Sequence, residues 1–281
     1  MADPYLDSNG VLRNKAGITD HDELAAYEAE IAAIEEAALL DSPPGGAFNF
    51  NLLLKLHERL FGEVYAWAGK PRITTLAKQS YEGSSSGVTA FAPPVRITTE
   101  ATKLYAALPS IESLASLSAS EFAHKTAPFF VKLNNIHPFR EGNGRTQRLY
   151  FRLLARACGH ELAWDVVTRE RMIAVSISGA RDDDTPMVRL FQEISDDRRV
   201  GVLRNGLDFL RSSAAVRWND LYIATTTAGQ TYAGRLVGIA GSDFMMRVEN
   251  EVQSWIAIGD KRDVPERTAP GDTLEIKTKF W

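Results

Sequence analysis

Residues 137 to 148 read His-Pro-Phe-Arg-Glu-Gly-Asn-Gly-Arg-Thr-Gln-Arg. Pro138 disfavours helix at the residue before it, and Gly142 and Gly144 allow backbone conformations that other residues resist. An apolar run resumes only after Arg148. The pattern therefore predicts a loop that leads into a helix.

A loop of this kind is a suitable anion site, because its backbone N–H groups and the positive end of the next helix attract phosphate. Taken singly, Gly-Asn-Gly is compatible with a simple turn, and Arg145 with Arg148 is compatible with a solvated helix face. The segments on both sides are apolar, however, and buried charge without a partner is costly. Together these features favour a bound polyphosphate.

Other phosphate and metal sites fit the stretch poorly. A Walker A loop needs Lys and then Ser or Thr after its second Gly, whereas Gly144 is followed by Arg145 and Thr146. A dinucleotide-binding turn is disfavoured because there is no preceding strand and no G-x-G-x-x-G. His137 and Glu141 lack further zinc ligands at a standard spacing, while one carboxylate plus phosphate oxygens suits Mg²⁺.

Roles for the polar groups follow from this chemistry. His137 is the candidate general base, since an imidazole near its unperturbed pKa can take a proton near neutral pH. Glu141 is the candidate Mg²⁺ ligand. The other groups are expected to bind phosphate oxygens. They are the backbone amides of Gly142, Asn143 and Gly144 and the guanidinium groups of Arg145 and Arg148.

Helices are expected on both sides of the stretch. Thr19 with Asp22, and Ser118 with Glu121, resemble capping boxes at helix starts. Pro128 predicts a kink or a break in the helix that follows the second box. His57 lies in an amphipathic helix, and we expect it to serve packing or lie at the surface rather than take part in catalysis.

Residues 73 to 91 predict a β-hairpin. β-formers from Ile73 lead into a Gly- and Ser-rich tip, and Val88 starts a second short β-like run. From the pattern alone, an irregular surface loop is the alternative.

From Trp218 onward the pattern alternates, and five short strands with Gly, Asn or Asp turns are expected. Five strands in this length fit a small closed barrel, OB-like or SH3-like. We place the boundary between domains 1-213 and 214-281. The second domain offers few basic residues for a nucleic-acid groove, so a structural or protein-docking role is favoured.

Composition limits the remaining possibilities. The formal net charge of −4 disfavours general capture of nucleic acid or anionic membrane. Cys158 is the only cysteine, so no disulfide can form within the chain. No apolar run is long enough to span a bilayer.

The stretch 137-148 also resembles the signature of Fic-domain proteins, H-P-F-x-[D/E]-G-N-G-R-x-x-R, and meets every specified position. The likeness covers about the first 195 to 210 residues. It includes the segments Tyr5-Leu6-Asp7 to Gly17-Ile18-Thr19, Leu60-Phe61 to Trp67-Ala68-Gly69, and Phe91-Ala92-Pro93.

This resemblance implies a mainly α fold, with a Fic-type helical core, a β-hairpin flap and then the small OB-like barrel. It implies transfer of AMP from Mg-ATP to a Ser, Thr or Tyr hydroxyl of a target protein. On that basis His137 deprotonates the hydroxyl and Glu141 holds Mg²⁺. Arg145 and Arg148 bind the β- and γ-phosphates. Pro138 and Phe139 are structural, with Phe139 anchoring the loop in the core.

In this family the flap clamps the target segment by strand addition. The residues expected to do so here are Thr74, Thr75, Leu76 and Lys78. The flap tip is longer than the plain family pattern, and we expect it to select one class of target, with small GTPases of a host cell as the candidate.

Many Fic proteins carry an inhibitory helix of pattern [S/T]-x-x-x-E-[G/N]. Every Glu followed by Gly or Asn fails the first position, because Glu82, Glu141 and Glu249 follow Lys78, His137 and Met245 by four residues. The chain is therefore expected to be unrestrained, or to be inhibited by a small antitoxin-like partner that supplies a Glu to Arg148.

The order of domains resembles that of bacterial effectors delivered by type IV secretion. It implies synthesis in the bacterial cytoplasm and, for an effector, action in the host cytoplasm. Two alternatives stay open: a Fic-type toxin that transfers UMP, phosphocholine or phosphate or removes AMP, and a non-enzymatic module acting through its β domain.

Overall fold

The computed structural model describes residues 3–79, 88–212, 217–249 and 254–280. The chain divides into two compact units. One comprises Met1–Leu117 and Pro128–His160, and the other comprises Ser118–Ala127 and Glu161–Trp281. The fold is mainly helical, as the sequence predicts.

The first unit contains helices and one hairpin. Its elements are α1 (His21–Asp41), α2 (Phe50–Phe61), β1 (Ala77–Gln79), β2 (Val88–Ala90), α3 (Pro94–Ala106), α4 (Ile111–Ala115), the C-terminal half of α5 (Ala119–Ile136) and α6 (Asn143–Ala157). The loop between α5 and α6 holds residues 137 to 142, so the predicted loop that leads into a helix is confirmed.

Helices α2 and α6 form the centre of this unit. The apolar positions of α2 recur at helical spacing, and Leu53, Leu56 and Leu60 have no exposed surface. On α6, Leu149 and Leu154 are equally buried. The loop therefore leads into one buried helix, α6, and is hydrogen-bonded to a second, α2, through His57 and Glu141 O.

Two helix starts can be compared with the sequence predictions. Asp20, not Thr19, caps α1: its side chain accepts hydrogen bonds from the amides of Asp22 and Glu23. The carboxylate of Asp20 reaches two free amides, which leaves no role for a hydroxyl one residue earlier. The second capping box is confirmed, since Ser118 N donates to Glu121 Oε2 at 2.9 Å and Glu121 N donates to Ser118 Oγ at 3.3 Å.

Pro128 does not break α5, which runs as one helix from Ala119 to Ile136. Of the predicted kink or break, the break is wrong, because burial of Phe122, Phe130 and Leu133 on the same helix outweighs one missing backbone hydrogen bond; the kink stays a prediction. The predicted hairpin is confirmed: β1 and β2 pair antiparallel, with Ala77 opposite Ala90. Its tip, residues 80 to 87, lies outside the described residues.

The second unit combines helices with a sheet. Its elements, besides the start of α5, are α7 (Arg169–Gly179), α8 (Thr185–Ile194), α9 (Asp197–Arg211), β3 (Tyr222–Thr225), β4 (Thr231–Ala240), β5 (Asp243–Glu249), β6 (Ser254–Asp260) and β7 (Thr273–Lys277). The strand order is β3-β6-β5-β4-β7, with β3 and β6 parallel and the other pairs antiparallel.

Helix α9 packs closely on this sheet. A Cβ atom at Gly206 would lie 2.3 Å from Ile258 Cδ1, so only glycine permits the approach of α9 to β6. A buried ion cluster adds to this packing: Glu193 receives hydrogen bonds from Arg171 and Arg189 and from the amide of Thr225. Burial opposes ionisation, but the two arginines outweigh it and hold the pKa of Glu193 below its ordinary value.

The five predicted strands are thus confirmed, while closure into a barrel stays a prediction. Among the described strands, β3 and β7 are the edges of an open sheet. The predicted boundary at 213/214 also stays a prediction, since residues 213 to 216 are not described. None of the described helices has the length and apolar character needed to cross a membrane.

The capping box at Ser118 generates a stability prediction. Ser118→Ala should lower the free energy of unfolding by about 1 kcal/mol, because Glu121 loses the Ser118 hydroxyl as acceptor for its amide and as donor to its carboxylate, while the N–H of residue 118 keeps its bond to Glu121 Oε2. Urea unfolding followed by circular dichroism measures this change. Ser118→Thr, which keeps the hydroxyl, is the matched control and should stay near the wild type; equal losses in both variants would contradict the capping role.

Candidate functional site

His137 ends α5 and starts the loop in an unusual conformation. Its φ of +50° lies in the left-handed region, which is uncommon for residues other than glycine. Its N–H donates to Leu133 O at 3.0 Å. In the side chain, Nδ1 lies 3.2 Å from Asn134 O. Since a carbonyl can only accept, Nδ1 carries the hydrogen and Nε2 is left as an acceptor.

The imidazole of His137 is also held from one face. It stacks on the ring of Phe91, with centroids 3.9 Å apart and an interplanar angle of 13°. Burial, with smaller contributions from Lys78 and Arg72, lowers the pKa of His137 to about 3, against the opposing effect of Asn134 O. The ring is therefore neutral at pH 7 in the free protein, as a general base must be, but the expectation of a pKa near its unperturbed value is wrong, because burial disfavours the charged imidazolium.

The loop is closed on itself by Asn143. Its side-chain Oδ1 accepts from Phe139 N at 2.9 Å, and its Nδ2 donates to Phe139 O at 2.8 Å. The Phe139 side chain has no exposed surface and stacks on His57 at 3.8 Å. This is the place in the core that a structural role for Phe139 requires. The adjoining Pro138 accepts a hydrogen bond at its carbonyl from Arg72 N at 2.8 Å.

His57 connects α2 to the loop. Gly69 N donates to its Nδ1 at 2.8 Å, so Nε2 carries the hydrogen and donates to Glu141 O at 3.0 Å. Burial, assisted by Arg145, lowers the pKa of His57 to about 4, although the bond to Glu141 acts in the opposite direction. The side chain is fully buried and serves packing and hydrogen bonding, in agreement with the sequence interpretation.

Helix α6 begins where a side chain cannot fit. Gly142 has a φ of +81°, and a Cβ atom there would lie 2.4 Å from Phe61 Cε2. Beyond it, the first-turn amides of α6 have no partner within the helix, and they form the positive end of its dipole. The predicted amides of Gly142, Asn143 and Gly144 thus lie at a helix start, although Gly142 N already donates to Glu141 Oε1 at 2.9 Å.

Arg145 is not a free cation. It forms an ion pair with Glu28, a buried carboxylate of α1, and its guanidinium lies 4.8 Å above the ring of Phe61. Glu28 also accepts a hydrogen bond from the hydroxyl of Tyr65. Burial and then Glu28 raise the pKa of Tyr65, so that the hydroxyl remains a donor.

Arg148 stands in a different state. Within the described part of the chain, no carboxylate forms an ion pair with it. Burial lowers the pKa of Arg148 and Glu36 partly offsets this effect, which leaves a half-buried cation one turn beyond Arg145. Such a group gains from a bound polyanion, because it has lost hydration and Glu36 compensates this loss only in part.

The carboxylate of Glu141 is exposed beside the helix start. Among the described residues, no group of three or more His, Cys, Asp or Glu side chains surrounds a metal position. A single carboxylate fits Mg²⁺, which keeps several waters and binds through one or two carboxylates together with substrate phosphates.

The structure thus brings the predicted residues of the stretch together at one helix start. The flap residues lie in the same unit: Thr74 O accepts from Arg72 Nη1 at 2.6 Å, and Leu76 O accepts from Phe91 N at 3.2 Å. Several residues that contact the stretch were not identified as site residues from the sequence. Among the described residues they include Asp3, Glu28, Arg72 and Phe91, and Tyr65 in turn donates to Glu28. Only Glu28 has a sequence signal, since it follows Leu24 by four residues on the apolar face of α1.

The close approach at Gly142 generates a paired prediction. Gly142→Ala should lower the free energy of unfolding by about 3 kcal/mol, from left-handed strain and overlap with Phe61. Gly144→Ala is the matched control, because its Cβ would meet only the end of the Arg148 side chain at 3.2 Å. Urea unfolding compares the two; similar losses would show that the Phe61 contact does not matter.

The lowered pKa of His57 generates a prediction about stability as a function of pH. The unfolded state binds more protons than the folded state between the ordinary pKa of 6.5 and the folded value of about 4, so stability falls as pH falls through this window. Between pH 7.5 and pH 5, the free energy of unfolding of the wild type should fall by about 2 kcal/mol more than that of His57→Gln. Urea midpoints at both pH values measure the difference, and parallel losses would contradict it.

Comparison with known proteins identifies the family. Residues 47–155 match the Fic/DOC family. Probable protein adenylyltransferase y4lH of Sinorhizobium fredii is 34% identical over 178 residues, which is 63% of this chain and 87% of that protein. Protein adenylyltransferase VbhT of Bartonella schoenbuchensis is 35% identical over 205 residues, which is 71% of this chain. The match spans only 41% of VbhT, less than half of its length.

Two solved structures are similar. The type IV secretion system effector protein BepA has a TM-score of 0.84 and 27% identity, covering 99% of this chain and 96% of that one. BepC of Bartonella tribocorum, with bound AMPPNP, has a TM-score of 0.61 and 29% identity, covering 68% of this chain and 96% of that one. The fold, the stretch at 137–148 and the relative matched over most of its length agree, and this chain belongs to the Fic/DOC family.

Proposed function

We propose that this protein transfers AMP from Mg-ATP to a Ser, Thr or Tyr hydroxyl of a target protein. One observation supports this function above the others: His137, whose Nε2 is left as an acceptor, begins the loop that ends at the start of α6, where first-turn amides suit a phosphate. A proton acceptor and an anion site are thereby held on one short segment. The names of the relatives, and the AMPPNP bound to BepC, support a nucleotide substrate.

In the proposed reaction, Nε2 of His137 takes the proton of the target hydroxyl. The hydroxyl oxygen then forms a bond to the α-phosphorus, and the bond from that phosphorus to the bridging oxygen of the β-phosphate breaks. Pyrophosphate leaves with the electron pair. No other reactant is needed, and the proton on His137 is returned to solvent or to the leaving group.

The arginines stabilise the charge that moves onto pyrophosphate. Arg145, already oriented by Glu28, would bind the β-phosphate, and Arg148 would bind the γ-phosphate. Glu141 would hold Mg²⁺, which neutralises phosphate charge when bound. The first-turn amides of α6 add donors that need no reorganisation.

The target segment is proposed to add as a strand to the flap, along Thr74, Thr75, Leu76 and Lys78. The flap is a two-stranded hairpin, so main-chain groups at its outer edge suit strand addition. Small GTPases of a host cell remain the proposed target class. The likeness to the effector BepA supports delivery from the bacterial to the host cytoplasm.

Inhibition in trans is proposed for the same site. Arg148 lacks an ion-pair partner within the described ranges, and no Glu of this chain fits the inhibitory pattern. A small antitoxin-like partner that places a carboxylate on Arg148 would compete directly with the γ-phosphate.

Labelled ATP tests the proposed function. Incubation with α-labelled ATP, Mg²⁺ and a host-cell lysate should label protein, and His137→Ala should reduce the label by about 10²-fold or more. His21→Ala, which removes an exposed histidine at the start of α1, is the matched control and should label normally.

The same experiment separates the alternatives. Label that appears only from γ-labelled ATP would replace AMP transfer by phosphate transfer. Absence of label from ATP, with transfer from a UTP or CDP-choline donor, would indicate UMP or phosphocholine instead. Label that persists in His137→Ala would refute the role of this histidine.

A further inference from the structure

A buried arginine joins the flap to the loop that carries His137. Only 1% of the surface of Arg72 is exposed. Within the described ranges its guanidinium forms no ion pair, and its hydrogen bonds go to backbone carbonyls. Burial lowers the pKa of Arg72, which expresses the cost of keeping this cation out of water.

The carbonyls that Arg72 binds belong to two separate segments. On the loop side, Nε donates to His137 O at 2.8 Å and Nη2 donates to Ile136 O at 3.3 Å. On the hairpin side, Nη1 donates to Thr74 O at 2.6 Å and Nη2 donates to Ala92 O at 2.6 Å. One planar group therefore holds the entry of the hairpin, its exit and the start of the catalytic loop together.

We call the four hydrogen bonds from Arg72 to the carbonyls of Thr74, Ala92, Ile136 and His137 the joint. Two further contacts connect it to the imidazole. Ala92 N donates to Asn135 O at 3.2 Å, and the neighbouring Phe91 lies flat against the His137 ring. The residue that stacks on the imidazole is thus the residue before the one that Arg72 anchors. Movement of the hairpin root would displace the face against which the ring rests.

From this geometry we infer that Arg72 is a positioning residue for AMP transfer. It fixes Nε2 of His137 relative to the flap edge, so that a hydroxyl presented on that edge meets the base. Phe91 transmits the same constraint to the ring. Lysine cannot reproduce the joint, because an ammonium is a point charge and the four carbonyls are matched by a rigid fork.

This inference rests on the proposed function, and it separates two halves of the site. The phosphate-binding half is held by other contacts, namely Asn143 with Phe139 and Glu28 with Arg145. Loss of the joint should therefore disturb proton removal from the target while leaving the ATP site in place.

The test compares Arg72→Lys, Arg72→Gln and Phe91→Leu with the wild type. The initial rate of label transfer from α-labelled ATP to lysate protein, at saturating ATP, should fall about 10²-fold in Arg72→Gln, as expected for a misplaced catalytic group. Arg72→Lys and Phe91→Leu should fall about tenfold. The affinity for AMPPNP, measured by calorimetry, should change by less than about threefold. Arg59→Gln, which removes an arginine of an exposed ion pair on α2, is the matched control.

Hydrogen exchange gives a readout that needs no activity. In Arg72→Lys and Arg72→Gln, the amides of residues 72 and 92 should exchange more than about tenfold faster, while the amide of Thr146, bonded to Gly142 O, should not change. Faster exchange throughout α6, or loss of AMPPNP binding in parallel with rate, would overturn the inference, since Arg72 would then be a general stabiliser.

The two proposals fail separately. If wild type does not label lysate protein but the variants show the local exchange changes, the proposed function is contradicted and the structural role of Arg72 is supported. Full label transfer by folded Arg72→Gln would remove the inference and retain the function. If the Arg72 variants do not fold, Phe91→Leu carries the rate and affinity comparison alone, and an unchanged rate there would overturn the inference.

Discussion

The paired hydrogen bonds between the Asn143 amide and the backbone of Phe139 are the constraint on which the rest of the site depends. They close the five residues 139 to 143 into a loop, with the Phe139 side chain buried in the core. This closed segment joins Pro138, which follows His137, directly to the first amides of α6, while Arg72 holds the carbonyl of His137. The proton acceptor and the anion site are therefore parts of one short backbone segment and not two independent features.

Charge around this loop is distributed unequally. Arg145 is neutralised and oriented by Glu28, with Tyr65 donating to the same carboxylate, whereas Arg148 retains its charge at a half-buried position. A polyanion would therefore meet one cation that is already oriented and one whose charge is compensated only in part, by Glu36. The first contributes geometry and the second contributes most of the electrostatic gain.

Local sequence chemistry predicted much of this arrangement. The loop and helix, the hairpin, the second capping box and the five strands follow from glycine, proline and periodic apolar residues that act over a few positions. Contacts between distant residues could not be predicted in this way: Glu28 and Arg145 are separated by 117 positions, and Arg72 and His137 by 65. The continuous α5 shows the same limit, because tertiary burial overrode the local effect of Pro128.

The ring of Phe61 has two uses that cannot be separated. One part of it fills the space that a Cβ atom at residue 142 would need, and its face lies beneath the guanidinium of Arg145. A smaller side chain at position 61 would remove the overlap with a Cβ atom at residue 142, but the left-handed backbone there would still disfavour alanine, and Arg145 would lose the surface on which it rests. The size of residue 61 is therefore set by two contacts at once, one with the backbone at residue 142 and one with the guanidinium of Arg145.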